Sequence, residues 1–265
     1  MPGLIEPSEA WRAWPFDPAS VLLLAFAAVA WEAAARRGPR PAGSAWWWAG
    51  LAVLAVALLT PLDEVAEELL SAHMVQHLLI GLVAPLLIVR AHPGRVLGRH
   101  VHPAVRRDVG RRVHPILRAA TPLGLAVVAA HVVVWWAWHL PALYDLAVAD
   151  SRVHLLEHAS LFASGFALWA VAWPAGPVRQ RGGAAVLVIF LAALGTGPLA
   201  AILTVANQPH YATDAAATSA WGMTRLADQQ LAGAIMWVPG GFLYLAAGWR
   251  CSRRGSWGGR PGTRG

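Results

Sequence analysis

Seven apolar blocks of about 17–23 residues run through this chain, at about 19–35, 45–60, 68–89, 121–140, 152–173, 183–205 and 228–249. That length spans a ~30 Å hydrocarbon core when the backbone is helical. A helix also satisfies its own N–H and C=O groups, which lipid cannot do. Only 13% of the residues are charged, against about a quarter in a soluble domain. The stretches between blocks are too fragmented for a second domain. The expected fold is all-α: one polytopic transmembrane helical bundle of about seven spans, occupying residues 1–265.

A net charge of +7 raises the question of nucleic acid, and the placement of that charge answers it. All 21 basic residues are arginine. In a seven-span chain all but Arg12, Arg152 and Arg225 fall on one side: after the first span (Arg36, Arg37, Arg40), in a connection over 90–120, after the fifth span, and in a tail over 250–265. The positive-inside rule then puts the amino terminus outside and the carboxyl terminus in the cytoplasm. Trp46–Trp48, Trp169, Trp173 and Trp249 sit near the cytoplasmic ends and Trp135, Trp136 and Trp138 near an outer end, as interfacial belts do. The first block is not expected to be a signal peptide, because its positive charge follows the apolar run. In the connection, Leu97, Val101, Val105, Val109 and Val113 recur every four residues between arginines. This predicts a short helix on the inner leaflet, against anionic lipids, with His92, His100, His102 and His114 as interfacial polar groups. No nucleic-acid partner is expected.

Several chemistries drop out. With no lysine, a retinal Schiff base cannot form. The single Cys251 permits no internal disulfide and no C-x-x-C site. There is no nucleophile elbow, H-E-x-x-H or phosphate loop, so the chain is not expected to be an enzyme.

The eleven histidines are the exception to this apolar chain. "HMVQHLLI" (73–80) and "HLLEH" (154–158) each set two imidazoles four residues apart. On a helix such residues share a face one turn apart, the arrangement by which one helix supplies two ligands to a metal. In the seven-span topology these pairs lie in the outer halves of the third and fifth spans. His139 ends the fourth span, with His131 about 12 Å deeper. The expected tiers are His73, His154 and His139 above, with His77, His158 and His131 below. Met74 is about 60° from His77 on the helical wheel. Imidazole with thioether suits copper, above all Cu(I). Glu157 is expected to orient an imidazole rather than bind the ion, and Asp228 to be a ligand, an orienting group or, by default, a helix cap. The same histidines also suit a structural polar network between helices. The breakers "GTGPL" (195–199) and "WVPGG" (237–241) either kink spans around a site or pack small residues closely. The acidic run from Asp63 to Glu68 reads as a solvated loop.

"HMVQHLLIGLVAPLL" (73–87), "WWAWHLPALYDLAV" (135–148), "HLLEHASLFASGFALW" (154–169) and "DQQLAGAIMWVPGG" (228–241), in this order, resemble the polytopic assembly factors of caa3-type cytochrome c oxidase. The resemblance covers about residues 20–250. It implies a bacterial cytoplasmic-membrane protein that partners cytochrome c oxidase subunits and has a part in supplying copper. The family's histidine-rich segments fall on His73, His77, His139, His154 and His158, with Asp228 in the last motif. The leading expectation is a non-catalytic factor that takes up copper from the outer face. The alternatives are a haem protein with bis-histidine ligation by His77 and His158 or His131, and a transporter or proton-linked channel using the same residues.

Overall fold

The computed structural model describes residues 5–15, 17–39, 41–105, 107–108, 111, 120–173 and 182–256; among them there are helices and turns and no strand. Five apolar blocks form single long helices: α1 (Pro18–Ala35), α4 (Leu70–Arg90), α8 (Ser151–Ala172), α9 (Gly182–Thr204) and, after the short α10 (Ala215–Ala220), α11 (Arg225–Ser256). The other two form bent pairs. α2 (Ser44–Leu59) turns by 50° into α3 (Pro61–Glu68), and α6 (Ala120–Trp138) turns by 71° into α7 (Pro141–Ala149). Each bend sits at a proline that opens the second helix. Proline is at home in a first turn but disfavours helix in the residue before it.

α4 is the axis of the bundle. In the most apolar window of each helix, 67% of α4 is buried against 11% of α1. Its apolar residues join those of α6, α8, α9 and α11 in one core built on Leu78, Leu82, Trp135, Leu161, Leu168 and Trp169. α1 and α2 form a smaller cluster at the side, where Trp31 and Trp47 stack at 4.6 Å. α9 and α11 pair so closely that a Cβ on Gly233 would stand 2.5 Å from the backbone nitrogen of Thr204. Small residues are what allow such approach in lipid, where apolar association has little drive of its own.

α4 carries a π-helical turn over Leu79–Val83. Pro85 has no N–H to offer the carbonyl four residues back, at Gly81. The wider turn is held from α8, whose Trp169 indole N–H donates to the Leu82 carbonyl at 3.0 Å. Gly165 of α8 rests against Gly81, and a Cβ there would collide with the Gly81 carbonyl oxygen. This contact fixes the depth of α8 against α4.

Two expectations need correction. The acidic run is not a loop: α3 is a helix whose amino terminus is capped by Thr60 Oγ1 on the Leu62 N–H, and it buries Val65 and Ala66. The Arg-rich connection is not one surface helix. It breaks into α5 (Pro93–Leu97), a 3-10 turn over Gly98–His100 and an extended Val101, and the described residues are helical again at 103–105, 107–108 and 111. His92 enters it with φ 54°. Val96 tucks against the side cluster, and the Arg99 guanidinium donates to the Ala34 and Pro39 carbonyls at the end of α1. Val109, Val113 and His114 lie outside the described residues. Neither breaker interrupts its helix. Pro198 and Pro239 sit inside continuous helices, and Gly197, Gly240 and Gly241 instead line an apolar cleft of about 290 Å³ between α9 and α11.

Candidate metal centre

α4 and α8 each present a histidine pair, and the bundle turns these pairs towards one another. Within a helix the rings are 4.0 Å apart for His73 and His77 and 4.2 Å for His154 and His158, as i,i+4 spacing requires. Across the gap, His73 faces His154 at 5.9 Å and His77 faces His158 at 5.7 Å. Glu157 lies in the middle. Its Oε1 is 3.4 Å from His77 Nε2 and 3.8 Å from His73 Nε2, and Glu157 itself is fully buried. One donor atom from each of His73, His77 and Glu157 falls within 4.8 Å of the others.

The polar atoms here are unusually poor in partners. Nε2 of His73, His154 and His158, both ring nitrogens of His77 and both oxygens of Glu157 are buried without a hydrogen bond among the described residues. An unsatisfied buried polar group costs about 1–3 kcal/mol, more when charged. Such atoms are individually rare in folded proteins, so several converging on one point need a reason. A cation supplies one, since lone pairs that cannot bond each other can all bond an ion. The spacing suits it: donors about 2.0–2.1 Å from a tetrahedral ion stand about 3.3 Å apart.

His139 follows the last residue of α6, and its Nδ1–H donates to the Trp135 carbonyl at 2.7 Å. Its Nε2 points at Met74 Sδ, 3.1 Å away. It faces His77, at 6.0 Å between rings, and so belongs with the lower tier rather than the upper one expected for it. Side chains lean towards the amino terminus of their own helix. At this end of the bundle that leans His139 inward, because α6 arrives here with its carboxyl end.

The remaining candidates separate from the cluster. His131 is two turns below His139 and is engaged on both ring nitrogens, with Ser164 Oγ at 3.2 Å and the Tyr244 hydroxyl at 2.9 Å. Asp228 is a cap, though of a neighbouring helix: its two carboxylate oxygens accept the N–H groups of Leu70 at 2.8 Å and Ser71 at 3.0 Å, where α4 begins. Glu157, expected to stand behind an imidazole, sits among the donor atoms.

Supporting residues had no signal of their own in the sequence. Tyr144 of α7 meets the His73 ring edge-on at 5.5 Å. The Tyr211 hydroxyl donates to the His139 carbonyl at 2.9 Å. Gln76, between the two histidines in sequence and on the flank of α4 beside them, donates to the Ala57 carbonyl and to Asp63, tying α4 to the α2–α3 bend.

A family model described as cytochrome c oxidase caa3 assembly factor matches residues 24–256. The chain belongs to this family. No curated protein and no solved structure matches it. The matched region runs from α1 into α11, so the whole histidine cluster lies within it. An oxidase assembly factor with apolar membrane-crossing helices is a membrane protein that associates with cytochrome c oxidase.

Proposed function

We propose that this oxidase assembly factor is a non-catalytic protein of the bacterial cytoplasmic membrane that holds a copper ion in the cluster of His73, His77, His154, His158 and Glu157. Copper is cargo here, passed on to an oxidase subunit rather than kept. One observation carries the reading: converging, buried and unpartnered donor atoms from two helices around a buried carboxylate. Imidazole ligands suit copper, and without thiolate the ion is not held so tightly that release becomes slow. The arginine distribution supports an orientation with the amino terminus outside, in which the cluster is near the outer face.

Size weighs against haem in this position. Two imidazoles ligating a porphyrin need a clear flat slot between them, whereas Glu157 stands between these pairs and the neighbouring rings are 4.0 and 4.2 Å apart. Beneath the cluster, Leu78, Leu82, Trp135 and Leu161 pack into the apolar core, which does not favour a through-going ion path.

The test is anaerobic loading of the full-length protein in detergent with Cu(I), with metal analysis and visible absorbance, beside a variant with His73, His77, His154 and His158 all changed to Ala. Copper near stoichiometry in the wild type and absent from the variant is the expected result. Equal trace metal in both, with no chromophore, would make the histidines a structural network. A Soret band would mean haem.

A further inference from the structure

We infer that the centre holds a second, chemically distinct subsite for Cu(I), formed by Met74 Sδ and His139 Nε2 and separate from the nitrogen and oxygen donors around Glu157. The inference rests on the copper reading above and says which ion, and which atoms, one part of the centre selects.

Protons decide the matter. Because His139 Nδ1–H donates to the Trp135 carbonyl at 2.7 Å, the neutral ring leaves Nε2 with a lone pair and no hydrogen. That lone pair faces the thioether sulfur at 3.1 Å, and Met74 and His139 are both buried, at 1% and 5% exposure. Two lone-pair donors facing each other in an apolar interior offer one another no proper hydrogen bond. They converge without attraction unless a cation joins them.

His139 is also held from two further sides. Trp135 stacks on His139 at 5.9 Å and 17°, and the Tyr211 hydroxyl fixes the backbone carbonyl of the same residue. Met74 is fixed by its place in the core beside Leu70 and Leu78. A thioether is a soft ligand that attracts Cu(I) and contributes little to a hard or borderline dication. The donors around Glu157 are imidazole and carboxylate, which also accept Zn(II).

His77 is the common neighbour. Its ring is 6.0 Å from that of His139 and 5.7 Å from that of His158, and both its nitrogens are free of hydrogen bonds among the described residues. It can therefore complete either donor set. Cu(I) moves between them by ligand exchange at His77, with no change in oxidation state and no other reactant.

The experiment is a pair of titrations on full-length protein in detergent: Cu(I) under anaerobic conditions against a competing chelator of known affinity, and Zn(II) separately. Wild type is compared with Met74→Leu, a swap that conserves volume, and with His139→Gln. X-ray absorption of the Cu(I)-loaded protein reads whether sulfur is among the neighbours of copper. The expected result is a sulfur neighbour in the wild type that disappears in Met74→Leu. Cu(I) affinity should fall by about tenfold or more in that variant, with Zn(II) affinity held within about twofold. Unchanged Cu(I) affinity with only nitrogen and oxygen neighbours overturns the subsite and leaves the copper reading intact. An equal loss of both metals in Met74→Leu reduces Met74 to packing and overturns the subsite as well. A wild type that binds neither ion removes both proposals together.

Discussion

Glu157 Oε1 lies 3.4 Å from His77 Nε2, and the two side chains, on different helices, are 0% and 1% exposed. A buried carboxyl group with no hydrogen bond to either oxygen, enclosed by imidazoles, gains most from a cation placed among them. Glu157→Gln keeps the shape and removes the charge. Copper affinity should fall by about 10- to 100-fold while helix content stays at the wild-type value. Apo-protein that unfolds at a higher temperature than wild type would agree, since two unsatisfied buried oxygens have been replaced by an amide that can also donate to an imidazole nitrogen. Copper binding unchanged by this substitution would show that the carboxylate is not a ligand.

His131 gives the opposite expectation. Its two hydrogen bonds join α6 to α8 and α11, and it lies outside the cluster. His131→Ala should leave bound copper at the wild-type stoichiometry and destabilise the bundle by about 1–3 kcal/mol, because the Ser164 and Tyr244 hydroxyls lose their partner. Thermal unfolding in detergent, with metal analysis on the same sample, checks both halves. Copper lost without loss of stability would return His131 to the ligand set.

Asp228 holds the start of α4 through two buried hydrogen bonds. An anionic acceptor at a helix amino terminus meets both the free N–H groups and the positive end of the dipole. Asp228→Ala should cost about 2–4 kcal/mol, and Asp228→Asn, which keeps one oxygen, clearly less. His73 is one turn into α4, so copper affinity should fall with the cap. An unfolding midpoint unaltered in Asp228→Ala would refute this role.

Asp63, in α3 beyond the apolar block of α2, has its carboxyl pushed up by burial from 3.8 to about 6, against a hydrogen bond from Gln76 that favours the charged form. The folded protein therefore holds this proton more tightly than the unfolded chain. Its contribution to stability is complete below about pH 4 and is lost as pH rises through about 6. Asp63→Asn removes the ionisation and keeps an acceptor for Gln76. Between pH 4 and pH 7 the variant should gain on wild type by about 1 kcal/mol, a figure reduced from the full shift because the group is partly exposed to solvent. Parallel unfolding curves at all pH values would contradict it.

Much of this was legible in the chain itself. Block length and the absence of charge settled that the helices cross a membrane, because lipid permits almost nothing else for an apolar segment of that length. The i,i+4 spacing settled that His73 pairs with His77 and His154 with His158, since helical period is a local property that no packing can change. Even the two-tier arrangement of those four rings could be read from helix direction alone.

Tertiary structure decided which side chains meet across helices. The seating of Gly165 against Gly81, with the Trp169 to Leu82 hydrogen bond, fixes the depth of α8 beside α4, and with it the position of Glu157 among the histidines. The lean of His139 follows from α6 ending where α4 and α8 begin, and His131 leaves the cluster because Ser164 and Tyr244 claim it. Asp228 caps a helix that starts 158 residues away in sequence, a pairing that no local pattern encodes. Spacing along a helix is set by covalent geometry, but rotation and depth between helices are set by how small and large residues interlock, and those contacts exist only in the assembled bundle.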